Sequence, residues 1–341
     1  MSTATLPKTY KAAVIEQVNG PFVFRDLPLQ DPKEGQVLVK VLACGVCHAD
    51  ALAYQGHYGE LPRIPGHEII GDIAAVPSTE KKWKNGDRVG GTWNGAFDGT
   101  CKACIKGYTQ MCDNQQVNGI TRDGGYGEYV YLNTEAVVRV PSHIDPVAAA
   151  PLLCAGVTVY CGIKQMRIPQ GEIVAVQGLG GLGHLALQFS RKMGYRTVAL
   201  SSSASKRDFA MQLGASDYID SSKEDPAEAL NRMGGASLVL ATAPSPAAVK
   251  PLINGLGPLG KLLSIAPMGD LPISTLALIS HGRSVHGWPS GTQRDCEDAI
   301  AFADMMGVKC LVQDYPLQQA QTAFEDMLAN KVRFRAVLKS A

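Results

Sequence analysis

The segment Val174-Ala-Val-Gln-Gly178-Leu-Gly180-Gly181-Leu182-Gly183-His constrains this chain more than any other. An apolar run, a G-x-G-G-x-G turn and the opening of a helical pattern follow one another in that order. Gly178 permits a tight turn, Gly180 lets the backbone approach a pyrophosphate, and Gly183 lets helix and strand pack closely. Gly181 and Leu182 lead into the helix, whose N-terminal N–H groups are free for the anion. The surroundings supply the context such a loop needs. After Pro146, apolar runs at Ile173–Val176, Thr197–Leu200, Tyr218–Ile219, Ser237–Ala241, Leu262–Ala266 and Ser284–His286 are interleaved with helical patterns, among them 183–193 and 205–213. Strands alternating with helices specify right-handed crossovers and a doubly wound parallel α/β sheet.

The chain before Pro146 reads differently. Short apolar or alternating runs at Ala12–Ile15, Val37–Leu42, Ile69–Val76 and Glu128–Leu132 are bounded by Gly, Pro or Asp, the pattern of a β-rich domain. The last fifty residues carry two amphipathic stretches, Arg294–Met306 and Gln318–Leu328, expected to close back onto the first domain. The 341 residues therefore divide into 1–155, 156–292 and a returning segment 293–341. Lys plus Arg is 32 and Asp plus Glu is 31, so the formal net charge is +1 and nothing favours a nucleic-acid or anionic-membrane partner. Met1–Lys11 lacks the apolar core of a signal peptide. The uncharged stretch Val147–Ile163 is interrupted by Pro151, Gly156 and Gly162 and falls short of the ~20 residues of a membrane span, so it reads as a buried helix. A soluble, cytoplasmic chain is the expectation.

In a dinucleotide-binding sheet the second strand ends with an acid when the ribose carries a free 2′-hydroxyl. Here Thr197–Leu200 runs into Ser201, Ser202 and Ser203, then Lys206 and Arg207. Hydroxyls and cations in place of the acid suit a 2′-phosphate, so NADP(H) is favoured and NAD(H) is the alternative. Ser205 is a candidate helix cap in the same stretch.

Nine cysteines are an odd number, unsuited to a disulfide framework, and their clustering points to metal. Cys101-x-x-Cys104 with Cys112 offers three soft ligands to a tetrahedral zinc. The spacing places the fourth three residues earlier, at Asp98. Elsewhere Gly45-Val-Cys47-His48-Ala49-Asp50, Pro65-Gly66-His67-Glu68 and Leu153-Cys154-Ala155-Gly156-Val-Thr158 stand in that order.

With these motifs the chain resembles the zinc-dependent medium-chain alcohol dehydrogenases, of the cinnamyl-alcohol-dehydrogenase and yeast types, over nearly its whole length. The resemblance implies a GroES-like catalytic domain and a Rossmann coenzyme domain. It implies two zincs per chain. Cys47, His67 and Cys154 ligate the catalytic one with Glu68 beside it, and Asp50 orients His67. Asp98, Cys101, Cys104 and Cys112 hold the structural one, although the family pattern has a cysteine where Asp98 stands. It also assigns His48 and Arg335 to the coenzyme pyrophosphate, Thr158 to the nicotinamide, and Tyr58 and Trp93 to the substrate pocket. Dimers or tetramers are the family's assemblies. One departure bears on chemistry: where the family carries the Ser or Thr that begins a proton relay, this chain has Ala49, and the later relay histidine corresponds to Gln55.

The expected activity is hydride transfer between NADP(H) and an aldehyde/alcohol pair, in the reducing direction. Ala49 keeps a second activity open, reduction of an activated C=C or C=N bond in an enal or iminium. A non-catalytic nucleotide-binding protein on the same fold is the third reading. It requires loss of a catalytic-zinc ligand, and all three are present.

Overall fold

The computed structural model describes residues 6–340; the first five residues of the Met1–Lys11 stretch and Ala341 lie outside them. Two compact units emerge. The first comprises the chain up to Cys154, Gly291–Ala301 and the segment from Cys310 onward; the second comprises Ala155–Ser290 with Phe302–Lys309. The segment 293–341, read from sequence as returning whole to the first domain, is therefore divided. Residues 302–309 stay with the second unit because Phe302 stacks on Phe189 at 5.9 Å and Gln188 Nε2 donates to the Lys309 carbonyl.

In the second unit six parallel strands lie in the spatial order Asp217–Asp220, Arg196–Ser201, Ile173–Gln177, Ala236–Ala241, Leu256–Ser264, Ser284–Gly287. Numbered by occurrence this is 3-2-1-4-5-6, the dinucleotide-binding order, with its switch point between Ile173–Gln177 and Ala236–Ala241. Both strands are buried almost throughout, which is why they read as continuous apolar runs rather than alternating ones. Helix Gly183–Lys192 follows the first strand and buries Leu185, Ala186, Leu187 and Phe189. Helix Ala155–Met166 is also largely buried, as expected for the uncharged stretch that supplies its first nine residues. No single helix among the described residues is long and apolar enough to cross a membrane.

The first unit is built on a mixed sheet. Gln36–Val46 lies at its centre, paired antiparallel to Glu68–Ala75, Tyr129–Asn133 and Arg335–Lys339. Glu68–Ala75 continues to Arg88–Gly91 and Val138–Arg139. Arg335–Lys339 also pairs parallel with Val312–Pro316. A hairpin of Thr9–Ile15 and Phe22–Pro28 stands apart from this sheet. The core of the unit gathers Ile15, Val39, Ile69, Tyr126, Leu132 and Phe324. The register matters for the site. Ala336 faces Val46 and Glu68 faces Gly45, so Arg335, Cys47 and Glu68 reach one end of the sheet together although 288 residues separate the first two in sequence.

Candidate active site

Cys47 follows the central strand and caps the short 3-10 turn His48–Asp50, where the chain leaves the sheet. Asp50 folds back: its Oδ2 accepts the Cys47 N–H at 2.9 Å, and its Oδ1 lies 3.0 Å from His67 Nδ1. Asp50 and His67 are fully buried. A carboxylate on Nδ1 holds a proton there and leaves Nε2 as the ligating nitrogen of the neutral ring. His67 Nε2 is buried and has no protein partner, and the same is true of Glu68 Oε2.

Cys154, at the end of the turn Ala150–Leu153, completes the cluster. One ligand atom from each of Cys47, His67, Glu68 and Cys154 lies within 4.8 Å of every other. Hydrogen bonding from the Cys154 thiol holds Cys47 well below the ordinary thiol range, against burial and with help from His67. Burial works to neutralise His67, but the Asp50 carboxylate and Cys47 draw its pKa well upward. Burial pushes Glu68 up to about 7, opposed by the neighbouring Arg335. Two sulfurs and an imidazole nitrogen are the donor set of a catalytic zinc, and the partnerless Nε2 is the atom such an ion satisfies; the residues fit the metal.

Glu68 Oε1 accepts from the Arg335 guanidinium, an ion pair almost wholly out of solvent. Gly45 makes room for it, because a Cβ there would strike the Glu68 carboxylate. Arg335, assigned by resemblance to a pyrophosphate, is thus paired with Glu68, and its Nε has no partner. His48 is exposed beside Cys47, and Ala49 is half-buried in the same turn. Trp93 stands edge-on to His67 with ring centroids 5.1 Å apart, whereas Tyr58 is 62% exposed.

The second cluster forms within 98–114. Asp98, Cys101, Cys104 and Cys112 bring their ligand atoms within 4.8 Å of one another. Asp98 Oδ1 accepts from the Thr100 and Cys101 N–H groups at 2.7 and 2.9 Å, and Oδ2 accepts from Asn114 Nδ2 at 2.7 Å. These donors hold its carboxyl well below the usual carboxylate range, so it stands as an anion among the three sulfurs. An aspartate thereby fills the corner where a fourth thiolate is usual, and the set fits a closed zinc site.

The glycine loop lies at the switch point of the parallel sheet. Gly178 has φ +92°, and a Cβ on it would stand 2.6 Å from Ala243. A Cβ on Gly183 would strike the Gly178 carbonyl, while Gly180 faces open space. Gly178 thus carries the left-handed turn and Gly183 the close packing. Gly181 and Leu182 run into the helix that opens at Gly183. Thr242 ties the loop down, its hydroxyl donating to the carbonyls of Gln177 and Gly178 at 2.8 and 3.0 Å. At the end of the second strand, Ser203 rather than Ser205 caps the following turn, accepting the Ser205 N–H. The turn so capped spans Ala204–Lys206, and Tyr218 Oη donates to the Ser203 carbonyl at its start. Ser202 and Arg207 are exposed, and Ser201 and Lys206 are half-buried. Thr158 is buried on the helix Ala155–Met166.

A family model described as alcohol dehydrogenase GroES-like domain matches residues 33–142, and one described as zinc-binding dehydrogenase matches 181–305. Alcohol dehydrogenase patD of Penicillium expansum is 52% identical, covering 98% of this chain and 99% of its own. An alcohol dehydrogenase of Geobacillus stearothermophilus is 37% identical over 96% of this chain and 98% of its own. This chain belongs to the zinc-type medium-chain alcohol dehydrogenase family. Its fold is that of a cinnamyl alcohol dehydrogenase from Sorghum bicolor, with a TM-score of 0.88 at 30% identity over 97% of this chain and 98% of that one. The structure of CAD from Helicobacter pylori, complexed with NADP(H), matches with a TM-score of 0.86 at 25% identity over 97% of this chain and 98% of that one. The chain is an oxidoreductase of the alcohol dehydrogenase type, built as a GroES-like unit and a Rossmann unit, and acts on a small alcohol or aldehyde.

Two features were not legible in the sequence. Tyr126 donates its hydroxyl to Asp50 at 2.8 Å across 76 residues, and Thr242 pins the glycine loop from the neighbouring strand. No local pattern marks either residue.

Proposed function

We propose that this dehydrogenase is a zinc-dependent, NADP(H)-preferring reductase of aldehydes. The observation that carries the reading is the convergence of Cys47, His67 and Cys154, with His67 Nε2 buried and partnerless while Nδ1 is tied to Asp50. Leaving such an atom unpaired costs about 1–3 kcal/mol, so a ligand for it is expected. Cys47, His67 and Cys154, with Glu68 adjacent, would hold the catalytic zinc; Asp98, Cys101, Cys104 and Cys112 would hold a structural one. When bound, zinc supplies Lewis acidity toward a substrate oxygen, and NADP(H) supplies the hydride.

The chain's own groups set the conditions. Asp50 keeps the imidazole proton on Nδ1, and Trp93 packs edge-on to the imidazole. Over the whole reaction the carbonyl carbon gains the hydride, its oxygen gains a proton, and the coenzyme leaves oxidised. Ala49 carries no O–H, so the proton comes from water rather than from a hydroxyl at that position. The serines 201–203 with Lys206 and Arg207, and the absence of an acid there, support the 2′-phosphate. NADP(H) in the Helicobacter pylori relative supports the same choice.

The test is NADPH oxidation across aromatic and aliphatic aldehydes, enals and cyclic iminiums, with zinc measured on the same sample. Aldehyde turnover with NADPH above NADH, and zinc near two per chain, is the expected result. Ala49 favours a second reading, reduction of an activated C=C or C=N bond. Product analysis decides it, since a saturated aldehyde from an enal replaces the unsaturated alcohol.

A further inference from the structure

We infer that Tyr126 is a positioning residue for the catalytic metal site, holding His67 through Asp50. The inference rests on the metal reading above. Tyr126 is fully buried, and its hydroxyl donates to Asp50 Oδ2 at 2.8 Å. The same carboxylate takes the Cys47 N–H on Oδ2 and faces His67 Nδ1 with Oδ1. Three donors therefore converge on one buried carboxylate, and two of them belong to the backbone or side chain of a proposed ligand. A carboxylate that must face an imidazole squarely needs its second oxygen fixed, because otherwise rotation about χ2 swings both oxygens out of the imidazole plane. The Cys47 N–H holds that oxygen from Asp50's own turn, and the Tyr126 hydroxyl holds it from a different segment of the chain.

A second contact reinforces it. Gly66, the residue before His67, has φ +101°, and a Cβ there would run into the Tyr126 ring and lie 2.7 Å from Cys44 Sγ. The aromatic ring therefore lies against the backbone that carries His67. Phe22 packs edge-on to Tyr126 at 6.1 Å and backs it. Tyr126 thus restrains His67 twice, through the main chain with its ring and through Asp50 with its hydroxyl. Tyr126→Phe keeps the first restraint and removes the second.

The experiment is zinc release from the full chain to a chromogenic chelator, followed together with residual turnover. In the unmodified protein one release phase should coincide with loss of turnover and the other with loss of thermal stability. Tyr126→Phe should speed the phase linked to turnover by roughly tenfold or more and leave the other unchanged. In an Asp50→Asn background the same change should have little further effect, since the hydroxyl acts through the carboxylate. Equal release rates in Tyr126→Phe and the unmodified protein would overturn the inference while the metal reading stands. Equal speeding of both phases would also overturn it, by showing a general loosening. Absence of a turnover-linked zinc in the unmodified protein would instead overturn the metal reading itself. If Tyr126→Phe does not fold, 3-fluorotyrosine placed at 126 preserves the ring and strengthens the donor; it should slow the turnover-linked phase, and no change there would count against the inference.

Discussion

Ala49 and Ser201 are two positions where a single side chain bears directly on the proposed chemistry. Ala49 follows His48 in the turn that also delivers Cys47, so a hydroxyl added there lies next to the proposed metal cluster. A positioned general acid is worth about 10²–10⁴ in rate. Ala49→Ser should therefore raise aldehyde turnover, measured with zinc content and coenzyme affinity held equal; an unchanged rate would show that proton delivery at this position is not limiting. An enal or iminium substrate should gain nothing from the same change. Ser201 sits at the end of the second parallel strand, where a carboxylate would face the 2′-position of the ribose. Ser201→Asp should cost about 1.5–3 kcal/mol in NADPH binding for each charge-assisted bond lost, and the ratio of kcat/KM values should move toward NADH. A ratio that stays put would locate the 2′-phosphate contact elsewhere.

The strand–loop–helix unit around Gly178 and the 98–114 lobe behave as separate devices. In the first, Gly183 lies against the Gly178 carbonyl with no room for a side chain. Gly183→Ala should force the loop off its position and weaken coenzyme binding by roughly tenfold, about 1.4 kcal/mol, as read by NADPH fluorescence titration. Zinc content should not change. In the lobe, two backbone N–H groups and the Asn114 side chain orient Asp98. A structural metal contributes folding free energy directly. Cys104→Ser should therefore lower the melting temperature and drop one zinc per chain, with turnover retained in the protein that remains folded. Complete loss of turnover without a change in melting temperature would reverse the roles of the two clusters.

At the scale of the whole molecule the metal cluster lies in one unit and the glycine loop in the other, so metal and coenzyme binding should separate. Cys154→Ser should abolish turnover and leave NADPH affinity close to that of the unmodified protein; a parallel loss of affinity would show that the units do not bind independently. The same division explains what could be learned from sequence. The parallel sheet, the tight turn at Gly178 and the gathering of Cys101, Cys104 and Cys112 were readable because each depends on near neighbours, whereas the grouping of Cys47, His67 and Cys154 came from the family resemblance. A buried parallel strand must be apolar throughout, a tight turn must carry glycine, and a Cys-x-x-Cys pair must bring two sulfurs together. Arg335 against Glu68, Tyr126 against Asp50 and the parting of 302–309 from the rest of its segment have no such local cause. They follow from strand register and from which aromatic rings stack, and only the folded chain brings those residues together. The sequence by itself determined the chemistry of the donors; the tertiary structure decided which buried partners orient them, because a carboxylate or guanidinium in the core must find its counterpart wherever the packing places one.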